Sequence, residues 1–324
     1  MIEKRTDLAI EARELVSKEY PKEIPGVEVD VDKSDNITIT RVKIKTKEAE
    51  KIMGKPPGDY ITLEVPKLRE KDVLLQEEVS KNFADEIKNL SRLPIDATVM
   101  VVGLGNWNVT PDALGPKVIQ QLLITRHIME TPTGEMEKGV RSLCAIAPGV
   151  LGITGIETGE IIQGVIEKVK PDLIIAIDAL ASRNMARVST TIQISNTGIH
   201  PGSGVGNKRM GITRETLGVP VIAVGIPTVV DAATMANDTL DMLIDSLMEQ
   251  TKKGSSFYKL LKDMDKNEKY RLIYEVISPF VGNLMVTPKE IDTIVDDLAR
   301  VLAGGLNIAL HPGITFDEVT RYLH

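Results

Sequence analysis

Two aspartates stand where side chains could activate water. Asp112 lies in VMVVGLGNWNVTPDALGP (residues 99–116), where an apolar run breaks into a Gly/Asn loop before a helix begins. Asp178 closes the apolar run Leu173–Ile177 within PDLIIAIDALASR (171–183), a pattern that predicts a buried strand with the acid at its carboxyl end. Open parallel sheets gather their reactive groups at that end of the strands. If the two strands are neighbours, the carboxylates can meet and share a proton, because two like charges at close range cannot both ionise cheaply. One protonated and one ionised carboxyl can activate water on an amide.

Each acid also has a plainer reading. Thr110-Pro111-Asp112 is a good helix start, with Thr110 as N-cap, Pro111 in the first helical position and an acid in the first turn. An acid ending an apolar strand implies a crevice or an ion pair, and Arg183 is the nearby cation. The glycines of GLGNWN (103–108) lack the third glycine of a dinucleotide fingerprint, and the next strand carries no ribose-binding acid. They fit a loop that brings backbone N–H groups close to something bound beside Asp112. Gly103, Gly105, Asn106 and Asn108 are its candidate oxyanion or substrate-binding residues, with left-handed turn positions as the alternative for the asparagines.

A second Gly-rich loop, SNTGIHPGSGVGNKR (195–209), has no phosphate-loop spacing and reads as a wall over a peptide cleft. It holds His200, the histidine expected nearest the site. His127, His311 and His324 show no metal-ligand spacing, so neither zinc nor any other cofactor is expected. No serine sits at a Gly-x-Ser-x-Gly elbow. The single cysteine, Cys144, excludes an intrachain disulfide and reads as a small strand residue in VRSLCAIAPG (140–149).

The elements that must position these residues follow from periodicity. A helix is expected over 8–20, β-rich alternation over 27–65 and a helix over 70–92. Strands then follow near 98–103, 141–147, 172–177, 190–195 and 220–225. Helices are expected near 111–130, 157–169, 231–252, 265–277 and 288–303. This alternation implies an α/β fold of phosphorylase/hydrolase-like type, a mainly parallel sheet flanked by helices with a small β-rich N-terminal element. The expected division is a subdomain over 8–95 and a catalytic domain over 96–324. The polar stretch 252–270 reads as a loop or an interaction surface.

At 324 residues there is room for a large core, and with 3% aromatics that core is aliphatic. A net charge of −7 and scarce aromatics argue against nucleic-acid binding. No signal peptide or membrane span is present, so a cytoplasmic location is expected.

The loop around Asp112, the IAIDALASR strand end, the loop at 195–209 and the opening RTDLAIEARE (5–14) together resemble the germination endopeptidase, or spore protease, of endospore-forming bacteria, over nearly the whole chain. The resemblance implies an inactive zymogen that removes its own N-terminal segment. On germination it would degrade the small acid-soluble proteins of the spore, working as a homotetramer in the forespore and spore core. It also implies a fold similar to that of hydrogenase maturation proteases, whose corresponding acids bind nickel, and a catalytic role here for Asp112 and Asp178. The opening itself looks like the family's cleavage sequence, an acid before the cut with a large apolar residue and alanine after it. The processing site would be Asp7-Leu8, with residues 1–7 as the pro-segment. An ordinary charged start to an amphipathic helix is the other reading. The alternatives in function are a nickel-dependent maturation protease and a catalytically silent binding protein of the same fold.

Overall fold

In the computed structural model the described residues are 8–16, 24–129, 139–202, 209–251, 255–256, 271–273, 275–276, 279, 284–315 and 318. Asp7 and the greater part of the helix expected at 265–277 lie outside them. The chain opens with α1 (Ala9–Val16), β1 (Val27–Lys33), β2 (Thr38–Ile44), α2 (Lys47–Met53), β3 (Gly58–Glu64) and α3 (Val73–Ser91). It continues through β4 (Thr98–Gly103), α4 (Leu114–Ile119), α5 (Arg126–Met129), β5 (Ser142–Ile146), α6 (Leu151–Thr154), α7 (Thr158–Val169) and β6 (Leu173–Ser182). β7 (Thr191–Ser195), α8 (Arg214–Leu217), β8 (Val221–Asp231), α9 (Ala232–Gln250), β9 (Met285–Val286) and α10 (Ile291–Leu310) complete it.

The nine strands among the described residues join one sheet in the order β1-β2-β3-β7-β8-β6-β4-β5, with β9 against β8. The expectation of a mainly parallel sheet needs correction. Only β5, β4, β6 and β8 run parallel to one another, and every other ladder among the described residues is antiparallel. The reason lies between β6 and β7. A parallel return needs a crossover of a dozen or more residues, and here a 3-10 turn at Met185–Arg187 is the only helix in a short link. β7 therefore comes back antiparallel and offers its outer edge to β3, which joins the N-terminal hairpins to the same sheet.

The period-2 alternation divides the core between two layers. Val99, Val101, Ile175 and Ile177 face α3, α4 and α10, whereas Met100, Val102, Ile174 and Ala176 face α7 and α8. Three further expectations shift. The helix over 111–130 is broken into a 3-10 turn at Thr110–Asp112, α4 and α5. α2 interrupts the β-rich segment, with the Thr46 hydroxyl capping the Ala49 N–H at 3.1 Å. β6 runs on past Asp178 to Ser182, so the acid lies within the strand rather than at its end.

Candidate active site

β4 is the first strand of the parallel set, and the chain lays β5 on one side of it and β6 on the other. The crevice beyond the carboxyl ends of β4 and β6 is thus the point where the winding reverses, the place where such sheets bind ligands. β4 stops at Gly103, which pairs with Ile177. The next N–H, of Leu104, still donates to the Ile177 carbonyl at 2.8 Å, and past it β6 has lost β4 on that side while it stays paired with β8 on the other. Asp178 is the first residue of β6 beyond that edge, so it borders the crevice even though its strand continues. It is 7% exposed, and its Oδ1 accepts from the Ala179 N–H at 2.9 Å.

Asp112 reaches the same place from the loop. The Asn106 N–H donates to both the Asp112 carbonyl, at 3.1 Å, and its Oδ2, at 2.9 Å. The Asn106 side chain accepts from the Asn108 N–H at 3.0 Å, and the Asp112 N–H closes on the Val109 carbonyl at 2.7 Å. These bonds fold residues 106–112 into one knot. Gly105, at φ +115°, lies beneath it, and a Cβ there would stand 3.4 Å from the Asp112 carboxyl carbon. Gly115 lets α4 close down on the strands, because a Cβ there would lie 2.6 Å from the Ile177 carbonyl oxygen. Both acids therefore border the Leu104–Gly105 segment.

A bulge in β8 holds the knot from the far side. Leu180 pairs with Pro227 and Ala181 with Val229, which leaves Thr228 as the extra residue. Its hydroxyl donates to the Pro111 carbonyl at 2.7 Å, fixing the residue before Asp112. Thr228 was not signalled by the sequence, since a bulge has no reliable local signature. Arg209, at the end of the second Gly-rich loop, also escaped notice. Burial pushes the Asp112 carboxyl above the usual carboxylate range, while the Asn106 N–H and the charge of Arg209 pull it back. The Nη1 of Arg209 is buried with no hydrogen-bond partner among the described residues.

The remaining candidates separate. Gly103 closes β4, and the Asn106 N–H is committed to Asp112 rather than open to a ligand. The His200 ring packs on Gly211 and is coupled electrostatically to Glu215 at α8. The Arg183 backbone N–H binds the carboxylate of Glu11 at 3.3 Å. No group of three or more His, Cys, Asp or Glu among the described residues could hold a metal ion. Cys144 is half-buried in β5, with its thiol 3.7 Å from the Val99 carbonyl.

The start of the chain reaches the same strand. Leu8 is 0% exposed and packs with Leu180 of β6 and with Ile199. Leu180 shares a strand face with Asp178, two residues earlier, about 7 Å along the strand. The Ala9 N–H donates to the Gln193 side-chain oxygen at 3.0 Å. Glu11 binds the Ser182 hydroxyl at 3.0 Å and lies 3.5 Å from the Arg187 guanidinium. Arg187 in turn holds Glu14 by both fork nitrogens and Glu64 at 3.1 Å.

A family model described as germination protease matches residues 3–262 and 244–323. A germination protease of Caldanaerobacter subterraneus is 58% identical over 320 residues, 99% of this chain and 98% of its own length. That of Clostridium acetobutylicum is 53% identical over 99% of each chain, and that of Bacillus cereus 46% identical over 99% of this chain and 97% of its own. No helix among the described residues is long and apolar enough to cross a membrane.

Proposed function

The chain belongs to the germination protease family and is an endopeptidase of spore germination, and we propose that it is a zymogen that cuts itself between Asp7 and Leu8 and uses Asp112 and Asp178 to activate water. The observation that supports this reading is that both acids border the Leu104–Gly105 segment, Asp112 against the Gly105 backbone and Asp178 as the residue after the Ile177 carbonyl that Leu104 binds. Burial favours the neutral form of Asp112, and this upward shift needs no contribution from Asp178. Asp112 is therefore the acid that donates to the scissile carbonyl. Asp178 acts as base, taking a proton from water as the water oxygen bonds to the carbonyl carbon. Collapse of the tetrahedral intermediate breaks the C–N bond; the proton on Asp178 leaves with the amine, and Asp112 takes its own proton back from the oxygen that becomes the carbonyl of the new carboxyl terminus.

Residues 1–7 serve as the pro-segment, and the buried Leu8 supports a cut immediately before it. The open Nη1 of Arg209 supports a preference for an acid on the other side of the bond. In trans the substrates are the small acid-soluble spore proteins of the forespore and spore core. The exposed apolar residues Leu240, Met242, Leu243 and Leu247 of α9 support a homotetramer. A mass spectrum before and after mild acid incubation tests the reading. The expected product lacks residues 1–7 and begins at Leu8. An unchanged mass, together with an intact small acid-soluble protein, would overturn it.

A further inference from the structure

β7 carries a buried amide that its strand does not require. Gln193 is 6% exposed between Ile192 and Ile194, which point the other way into the main core. An amide at that depth is unfavourable unless its hydrogen bonds are made. Its Nε2 donates to the Ile61 and Ile194 carbonyls, each at 3.0 Å, which occupies both protons and leaves Oε1 as the acceptor. Oε1 accepts from the Thr62 hydroxyl at 3.3 Å and from the Ala9 N–H at 3.0 Å. The bonds to Ile61, Ile194 and Thr62 hold the amide to the sheet. The remaining one reaches a main-chain donor of α1, a group that every residue except proline carries.

Strand pairing sets this amide in line with Asp178. Gly225 of β8 is the partner of Asp178 on one side and of Gln193 on the other, so the three residues form one row on one face of the sheet. Two strand spacings separate the Cα atoms of Asp178 and Gln193 by about 10 Å. Gly225 has no side chain to fill the middle of the row, and Leu180 leans into that space, since a Cβ on Gly225 would lie 2.5 Å from Leu180 Cδ1. Leu8 packs on Leu180. It is also the one residue between the Ala9 N–H and the proposed cut. With Ala9 pinned at β7 and Leu8 resting over β8, the bond before Leu8 falls on the Asp178 side of the row.

A cap for α1 is the plainer role for Gln193, because the first N–H groups of a helix lack partners within it. A cap, however, would serve wherever α1 docked, and it leaves the alignment with Asp178 across a glycine unexplained. Building on the proposed cut at Asp7-Leu8, we propose that Gln193 is a substrate-positioning residue, whose Oε1 accepts the main-chain N–H of the second residue after the scissile bond in protein substrates and so registers that bond against Asp178. The contact is made to the backbone and is blind to the side chain at that place.

Three peptides test it with the full-length protein after acid incubation, each product being identified by mass. The first copies residues 5–14. In the second, an ester replaces the amide between the counterparts of Leu8 and Ala9, which removes that N–H alone, and in the third the ester lies one link later and leaves it in place. Wild type should cut the first and third alike, and the second with a kcat/KM lower on the order of tenfold, the ordinary worth of one buried hydrogen bond. In Gln193→Met, which keeps the chain length without a comparable acceptor, the first and second peptides should be cut within about twofold of each other. A purely structural Gln193 would slow both and keep their ratio, and that outcome overturns the role. The wild-type comparison stands even if Gln193→Met does not fold: equal cutting of the first and second peptides, or equal slowing of the second and third, overturns it as well. If wild type leaves the first peptide uncut, or cuts it at another bond, the proposed processing site fails first and the role of Gln193 falls with it.

Discussion

The backbone oxygen of Asp112 occupies the space that a side chain on Gly105 would need: a Cβ there would lie 1.9 Å from it. At φ +115° the backbone of Gly105 is also one that residues with side chains rarely adopt. Gly105→Ala should therefore expel the Asn106–Asp112 knot from its place. The expected cost is about 2 kcal/mol or more of stability and a loss of activity on the order of a hundredfold, since small misplacements of a reacting group are that costly. Urea unfolding and kcat/KM on a peptide check it. Near-normal activity would show that the position of Asp112 is not critical.

Asp112→Asn and Asp178→Asn should each abolish self-processing and peptide cleavage while the protein stays folded. Stability separates Asp112 from a simple loss of function. Its folded pKa is raised above the ordinary 3.8, so as pH rises past that value the unfolded chain releases its proton before the folded protein does. Wild type thus loses stability through this window, and Asp112→Asn, which cannot titrate, should gain on it. The Tm difference should be near zero in strong acid and grow toward neutrality in favour of the variant. A variant less stable at neutral pH would contradict the burial argument.

Much of this arrangement was legible in the sequence because it rests on local patterns. The runs 99–102 and 173–177 gave β4 and β6 through their apolar continuity, and the break at Gly103 gave the crevice. The direction of β7 was not legible, since it depends on how short the link from Ser182 is, not on the composition of the strand. α2 was missed although Thr46 caps it, because a seven-residue helix carries too little periodicity to stand out between strands. Thr228 and Arg187 act through partners more than a hundred residues away in sequence, Pro111 and Glu11, and no local window contains both ends.

Chelation should leave peptidase activity unchanged. The proposed dyad calls for no Lewis acid, because burial favours the protonated carboxyl at Asp112, and Asp112 stands among Asn106, Thr228 and Arg209 rather than among ligating histidines or cysteines. Activity measured after exhaustive dialysis against a strong chelator decides this. Loss on chelation with recovery on adding nickel would replace the dyad with metal chemistry.

His311 should make the protein sensitive to mild acid. It is fully buried, accepting the Arg141 N–H at Nδ1 and facing the Leu123 carbonyl through Nε2, and burial lowers its pKa from 6.5 to about 4. Between these values the unfolded chain takes up a proton that the folded protein refuses. Stability is thus fully present above the unfolded pKa and lost as pH falls toward the folded one, by roughly 3 kcal/mol at most. His311→Gln should be less stable than wild type at pH 7.5 and show a shallower decline down to pH 4.5. Parallel declines in urea unfolding would exclude His311 as the cause.

Leu8 joins activation to specificity. Its side chain is enclosed by Leu180, Ile10 and Ile199, an apolar setting about one strand repeat from Asp178. Leu8→Asp would bring an unpaired charge into that setting at a cost of several kcal/mol, enough to keep the segment from docking and block self-processing. Leu8→Ile keeps the volume and should be processed, with the substituted isoleucine as its new first residue. Lower pH should speed processing wherever Asp112 gains its proton, because the fully ionised pair has no acid to offer the carbonyl. N-terminal sequencing of each product over a pH series makes the measurement. Efficient cutting of Leu8→Asp at the same bond would show that the site does not read this side chain, and a wild-type terminus other than Leu8 would move the processing site elsewhere.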